Sequence, residues 1–229
     1  MKPQDLCALI CAYNEEATIA DIIQRTKPQV GKVFVLDDGS RDNTYQQAIT
    51  AGATVISHVK NYGKGQALKT GFHYLENQGY RAVISLDADG QHLPEEIPRF
   101  AEALDQYDIV IGRRDFRDPQ VPRIRSFSNT LYARLLSRIT GKPVYDPECG
   151  FRAIRTEALE ALDVSCTKKG FSYESESLIK LLRNPLLKIG WVDISTIYIP
   201  GRKSKIKPVK HTIDSAKVVL RCLADRARI

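Results

Sequence analysis

The chain has 229 residues, 43% hydrophobic and 27% charged, which suits one large domain able to bury its own core. These proportions exclude a disordered chain, a collagen and a disulfide-built scaffold. The unusual figure is a net charge of +7, from 34 basic and 27 acidic residues. In chain order, Leu6–Ala12 predicts a buried strand ending at Tyr13-Asn14, and Glu15–Lys27 a helix stopped by Pro28. Lys32–Leu36 is a second strand, running into Asp37-Asp38-Gly39-Ser40; Asp42 is placed to N-cap a helix to about Ala51. Ala53–Ser57 is a third strand, Gly65–Asn77 a helix, and Arg81–Leu86 a fourth strand ending in Asp87-Ala88-Asp89-Gly90. Pro94 suits the first position of a helix to about Gln106, and Asp108–Ile111 is a fifth strand. Strands separated by helices predict an α/β fold with a mostly parallel sheet. The second half is less regular. Arg123–Thr140 is a basic helix with apolar Phe127, Leu131, Leu135 and Ile139, Cys149–Ile154 a candidate strand, Tyr173–Leu182 a helix and Lys188–Ile199 a strand region. Val209–Ala227 repeats apolar residues at helical spacing, so the expected organisation is a domain over 1–205 with a basic amphipathic helical tail over 206–229.

Three polar clusters directly follow strands: Ala12-Tyr13-Asn14-Glu15, Asp37-Asp38-Gly39-Ser40 and Asp87-Ala88-Asp89-Gly90. Ligands of open α/β sheets bind at the carboxyl ends of strands, so the three converge on one crevice. Asp87 and Asp89 are hard-oxygen ligands suited to Mg²⁺ or Mn²⁺ shared with a diphosphate; read alone, they also fit an Asp-Gly turn. Asp37-Asp38 offers carboxylates to a nucleobase or ribose, and Gly39 allows close backbone approach. Asn61-Tyr62-Gly63-Lys64-Gly65 sets a lysine at a helix N-terminus, a place that favours anions. Neither a P-loop nor a dinucleotide fingerprint is present.

Charge is unevenly distributed. Residues 1–111 hold 10 basic and 15 acidic residues, residues 112–142 hold 8 and 2, residues 143–199 hold 7 and 8, and residues 200–229 hold 9 and 2. A basic middle and tail point to anionic partners such as phosphates, nucleic acid or a membrane surface, although a solvated surface gives the same pattern. No recognition motif or interleaved aromatic platform supports nucleic acid. Cys7, Cys11, Cys149, Cys166 and Cys222 are scattered without a CxxC pair, which suits a reducing compartment. The first apolar run is too short for a signal peptide, and no stretch approaches the ~20 apolar residues of a transmembrane helix.

In this order, AYNE, VLDDGSRDNT, NYGKGQALKTG, LDADGQH, VIGRR and DPECGFRAIR resemble a family 2 glycosyltransferase of GT-A (nucleotide-diphospho-sugar transferase) fold, most of all its polyprenyl-phosphate (dolichol-phosphate) hexosyltransferase branch. The similarity spans roughly residues 5–205. It implies an inverting transfer of a hexose from a UDP- or GDP-sugar to a polyprenyl phosphate, assisted by Mg²⁺ or Mn²⁺. It places Ala12, Tyr13, Asn14, Glu15 and Asp37 around base and ribose, Lys64 in the nucleotide pocket, Asp87, Ala88 and Asp89 at the diphosphate and metal, and Gln91 beside them. Gly112-Arg113-Arg114 resembles a glycine-small-arginine motif with Arg113 in the small position. Arg114 would contact an acceptor phosphate, with Arg125 a second candidate; guanidinium suits phosphate through its bidentate fork. Asp146, before Cys149-Gly150-Phe151-Arg152, matches a catalytic-loop aspartate, a base or orienting group, with Cys149 where Ser is common. Glu174 and Glu176 resemble an acidic helix motif, and Arg202-Lys203-Ser204-Lys205 a basic loop near the diphosphate or lipid headgroup. Lys210, Lys217, Arg221 and Arg228 make the tail a candidate for contact with a bilayer, the domain or a partner, in a cytoplasmic protein peripheral to a membrane. Two other enzyme readings stand beside this one. Transfer to a soluble sugar or alcohol fits the lack of a membrane span, whereas Arg114, Arg125 and the Gly-Phe-Arg motif favour a lipid phosphate. A sugar nucleotidyltransferase lacks its Gly-rich first-strand signature here.

Overall fold

The computed structural model describes residues 1–116, 121, 123–159, 161, 172–195 and 197; the side chains of 123–125 and 172–175 are not described. The expected tail and its amphipathic helix lie outside the described residues. Seven strands form one sheet in the order β3-β2-β1-β4-β6-β5-β7. They are β1 (Leu6–Ala12), β2 (Lys32–Asp37), β3 (Thr54–Ser57), β4 (Ala82–Asp87), β5 (Ile109–Arg114), β6 (Arg152–Arg155) and β7 (Ile189–Ile194). The helices are α1 (Ile19–Thr26), α2 (Thr44–Thr50), α3 (Lys64–Leu75), α4 (Ile97–Ala103), α5 (Arg123–Thr140), α6 (Thr156–Leu159) and α7 (Ser172–Arg183).

β1 is central because its near-continuous apolar run is buried on both faces, as a parallel strand covered by crossover helices requires. It pairs in parallel with β2 and β4, and β2 with β3. The mostly parallel expectation holds with one reversal. β6 runs antiparallel between β4 and β5, while β5 and β7 are parallel. Two antiparallel steps restore direction, so β5 points the same way as β4. The carboxyl ends of β1, β2, β4 and β5 therefore share one edge of the sheet, and β6 begins there. Register fixes the alignment: Ala12 lies opposite Asp37, Cys11 opposite Asp87, and Ile111 opposite Arg152.

Element starts differ locally from the sequence expectation. Residues 15–18 form a turn before α1, and Pro94 opens a 3-10 turn, Pro94–Glu96, ahead of α4. α5 buries Asn129, Tyr132, Ala133, Leu136 and Ile139, whereas Phe127, Leu131 and Leu135 face solvent. No helix among the described residues is long and apolar enough to cross a membrane.

Candidate active site

The first two strand-end loops are bound to each other by an exchange of hydrogen bonds. Asn14 adopts a left-handed conformation (φ 52°), which Asn tolerates better than most residues. Its N–H donates to Ser40 Oγ (2.9 Å), and its Oδ1 accepts from Arg41 N–H (2.9 Å). Glu15 N–H donates to Thr44 Oγ1 (2.7 Å), Glu16 N–H to Asp42 Oδ2 (3.2 Å), and Asn43 N–H to Glu16 Oε2 (2.9 Å). Asp42, the expected cap, sits one residue ahead of the N-cap, Asn43, and accepts the N–H of Thr44, the first residue of α2 (3.0 Å). Buried Asp37 accepts from Ser40 N–H (3.2 Å) and Ser57 Oγ (3.1 Å). Ala12 is buried, Tyr13 half-buried, and Glu15 buried at the end of β1.

Asp38, buried beside Asp37, organises the lysine loop. Its carboxylate accepts the N–H groups of Tyr62 (3.0 Å) and Gly63 (2.7 Å), and its Oδ1 lies 2.7 Å from His58 Nδ1. His58 Nε2 is in turn 3.0 Å from Thr70 Oγ1 on α3. The loop amides that the sequence offered to a ligand anion are thus engaged by an internal carboxylate. Gly39 (φ +70°) is required on two grounds: its backbone is left-handed, and a Cβ there would meet the Lys60 backbone at 2.5 Å. So held, Lys64 at the start of α3 places Nζ 2.6 Å from Asp87 Oδ1 at the end of β4.

Burial pushes the Asp87 carboxyl up, but the Lys64 ammonium, His92 and Arg114 outweigh it and hold the group down to about 2. Asp89 moves the other way, raised by burial and by the Asp87 charge. Its Oδ1 accepts the Gln91 N–H (3.0 Å), and the Ala88 carbonyl accepts the Thr18 hydroxyl (2.6 Å), fixing the loop to α1. His92 Nδ1 accepts the Asp87 N–H (3.3 Å), its ring stacks on Phe151, and burial lowers its pKa. Two carboxylates at one strand end, the charge of Asp87 opposing ionisation of Asp89, suit a divalent cation. That fits Mg²⁺ or Mn²⁺ bound by one or two carboxylates with other oxygens from a diphosphate.

Arg114 and Asp146 form the second centre. Arg114 Nε and Nη2 donate to Asp146 Oδ2 (2.6 Å) and Oδ1 (2.8 Å), and the Arg114 N–H also reaches Oδ2 (3.3 Å). Asp146 is fully buried and the Arg114 side chain is 11% exposed. Burial opposes the Arg114 charge, but the adjacent Asp146 carboxylate more than compensates and raises its pKa. The phosphate contact and the catalytic-loop aspartate expected as separate groups are therefore one ion pair. Arg113 instead pairs with Asp193 and lies over the Tyr145 ring, which meets Trp191 edge-on. Arg152 of the Gly-Phe-Arg motif shapes its own loop. It is buried, and Nε and Nη2 donate to the carbonyls of Cys149 (2.8 Å) and Pro147 (3.0 Å), shaping the loop before β6. Cys149 is buried against that loop with its thiol pushed up to about 12 by burial. Gly150, in the loop that carries Asp146, stands against the first centre: a Cβ there would lie 2.8 Å from Asp87 Oδ2 and 2.9 Å from Lys64 Nζ.

Arg125 lies on α5 and Glu174 on α7 without described side chains, and Glu176 is half-buried on α7. Arg202 and Lys205 lie outside the described residues. Sequence reasoning missed Asp38, His58 and His92 as organising groups. The Asp37-Asp38 doublet and the histidine ending LDADGQH were the available signals.

A model of glycosyl transferase family 2 matches residues 7–163. Solved structures of glucosyl-3-phosphoglycerate synthase from Mycobacterium tuberculosis are similar over most of both chains. The complex with uridine diphosphate has 25% identity and a TM-score of 0.74, covering 95% of this chain and 79% of that one. The complex with Mn²⁺, uridine diphosphate and glucosyl-3-phosphoglycerate has 25% identity and a TM-score of 0.68, covering 98% and 80%. The complex with Mg²⁺ and uridine diphosphate has 25% identity and a TM-score of 0.70, covering 98% and 79%.

Proposed function

The chain belongs to glycosyl transferase family 2 and has its GT-A fold, and on that premise we propose that it transfers a hexose from a UDP-sugar, with Mg²⁺ or Mn²⁺, to a phosphate-bearing acceptor. The observation that carries this reading is the arrangement at one sheet edge. The Lys64–Asp87 pair stands against the Gly150 backbone, with Asp89 two residues beyond Asp87; Asp146 lies on the same loop as Gly150, and the charge of its partner Arg114 acts on Asp87. Asp87 and Asp89 hold the cation, which neutralises the departing diphosphate when bound. Lys64 adds a second positive charge there and keeps Asp87 ionised. Asp37 and the loop of Tyr13, Asn14 and Glu15 flank the nucleoside. Arg114 faces the acceptor with its charge set by Asp146.

The similar structures favour a soluble acceptor such as phosphoglycerate, the acceptor moiety of the product in one of those complexes. A hydroxyl acceptor needs a base, and Asp146 is the candidate. A second reading, a polyprenyl phosphate, is favoured by one specific observation: both Asp146 oxygens are occupied by Arg114. A phosphate monoester, with a second pKa of ~6, is largely dianionic at neutral pH and attacks without a base.

Thermal-shift titration with UDP-, GDP- and dTDP-sugars, with and without Mn²⁺, tests the donor. A metal-dependent rise with UDP-sugar is expected, because a ligand binding only the native state raises its stability. No metal-linked shift with any donor would sink the proposal. Transfer assays with Asp146→Asn then separate the acceptors. Abolished transfer to phosphoglycerate supports the soluble reading, and partial activity on a polyprenyl phosphate supports the second.

A further inference from the structure

We propose that the outward face of α5 docks on an anionic lipid bilayer. α5 contains four arginines and no acidic residue over its 18 positions. At ~100° per residue, Phe127, Leu131, Leu135, Arg134 and Arg138 fall within ~100° of arc, one continuous face. That face is open to solvent: Phe127 is 70% exposed, Leu131 57% and Leu135 39%, and Arg134 and Arg138 are exposed among them. The opposite face, with Tyr132, Ala133, Leu136 and Ile139, is the one packed into the domain. Single exposed leucines are ordinary on protein surfaces. Three large apolar side chains on one helical face, threaded with guanidinium groups, form a patch that marks an interaction surface.

The charge selects the occupant. A second copy of α5 would bring arginines against arginines. The chain's own C-terminal residues 200–229, with 9 basic and 2 acidic residues, repeat the same sign. The complementary surface is both apolar and anionic, which describes the headgroup–acyl boundary of a bilayer containing acidic lipids. Arginine stems lie along apolar surface while their heads reach phosphates. The position within the fold gives the docking a use. The chain enters α5 after Arg114 and leaves it toward Asp146, so the face belongs to the same segment as the acceptor end of the site. That use rests on the second acceptor reading; the docking itself does not.

The test is co-sedimentation of the full chain with phosphatidylcholine vesicles, alone or containing phosphatidylglycerol. The expected result is binding to the anionic vesicles and not to the zwitterionic ones. Leu131→Glu with Leu135→Glu, and separately Arg134→Ala with Arg138→Ala, each lower partitioning by about tenfold or more. The UDP-dependent thermal shift remains, which shows that the fold survives. Asp89→Asn, which removes metal-supported donor binding, leaves vesicle binding intact, so failure of the enzymatic reading and failure of docking are separately visible. The proposal is overturned if the wild type ignores anionic vesicles. It is equally overturned if both double variants bind as well as the wild type, which would assign binding to the basic tail. A wild-type dimer in light scattering that Leu131→Glu with Leu135→Glu dissociates would assign the face to a second copy.

Discussion

A methyl group at Gly150 would stand 2.8 and 2.9 Å from the two Asp87 carboxylate oxygens and 2.9 Å from Lys64 Nζ. Lysine can swing aside, but the Asp87 carboxylate is held by its strand and by His92 beneath its backbone. Gly150→Ala is therefore expected to displace Asp87 and to weaken metal-supported UDP binding by more than about tenfold, while stability falls by ~1–3 kcal/mol. Titration of UDP with and without Mn²⁺, beside urea unfolding, reads both effects; unchanged metal dependence would show that the close approach has no functional consequence. The Arg114–Asp146 pair makes a second residue-scale prediction. Asp146→Ala leaves a nearly buried guanidinium without its carboxylate, an expected loss of ~3–5 kcal/mol in urea unfolding. Asp146→Asn keeps the shape and an oxygen acceptor and should lose clearly less.

At the scale of elements, the clasp between the loops after β1 and β2 has a defined pH signature. Partial burial pushes the Asp42 carboxyl up, but hydrogen bonds from the Thr44 hydroxyl and N–H and from Glu16 N–H prevail and lower its pKa. A carboxyl lowered on folding adds stability that is fully present above its unfolded value, ~3.9, and is lost as pH falls through the folded value. Asp42→Asn should therefore be less stable than wild type at pH 7, and the gap should narrow below about pH 4. Asp42→Ala should cost ~1 kcal/mol through the helix start. Urea unfolding across that pH range checks the sign; a gap that widens in acid would contradict it. These loops also show what the sequence made legible. Uninterrupted apolar runs such as Leu6–Ala12 have few alternatives to a buried strand, and the polar residues that stop them mark the carboxyl edge. Pairings across distance were not legible: Arg114 and Asp146 meet only because β6 inserts antiparallel between β4 and β5, a choice made by tertiary packing. α5 shows a different limit. It carries apolar residues on two faces, and periodicity alone does not say that Tyr132 and Leu136 go inward while Leu131 and Leu135 stay out.

For the whole molecule, the sheet order places the loops proposed to hold nucleotide and acceptor on different strands of one hydrogen-bonded sheet, which raises the question of whether they unfold together. β4 belongs to both sides: it pairs with β1, and through β6 it connects to β5 and β7. Two buried thiols report on the two sides. Cys7 lies on β1, and Cys149 lies in the loop before β6 beside Gly112 and Phe151. Burial pushes both thiols up to about 12. Against an ordinary value of ~8.5, this reduces the reactive thiolate at neutral pH by roughly three thousandfold, in addition to steric protection. Alkylation of either thiol therefore requires opening, and its rate measures the free energy of the opening that exposes it. Shared core packing across β4 predicts one cooperative unit, with Cys7 and Cys149 labelled in parallel as urea is raised and slowed together by UDP with Mn²⁺. Peptide-resolved mass spectrometry distinguishes this from the alternative. Faster labelling at Cys149, with Cys7 still protected, would mean that the Asp146–Arg152 loop and β5–β7 open as a separate unit, free to move against a rigid β1–β4 side.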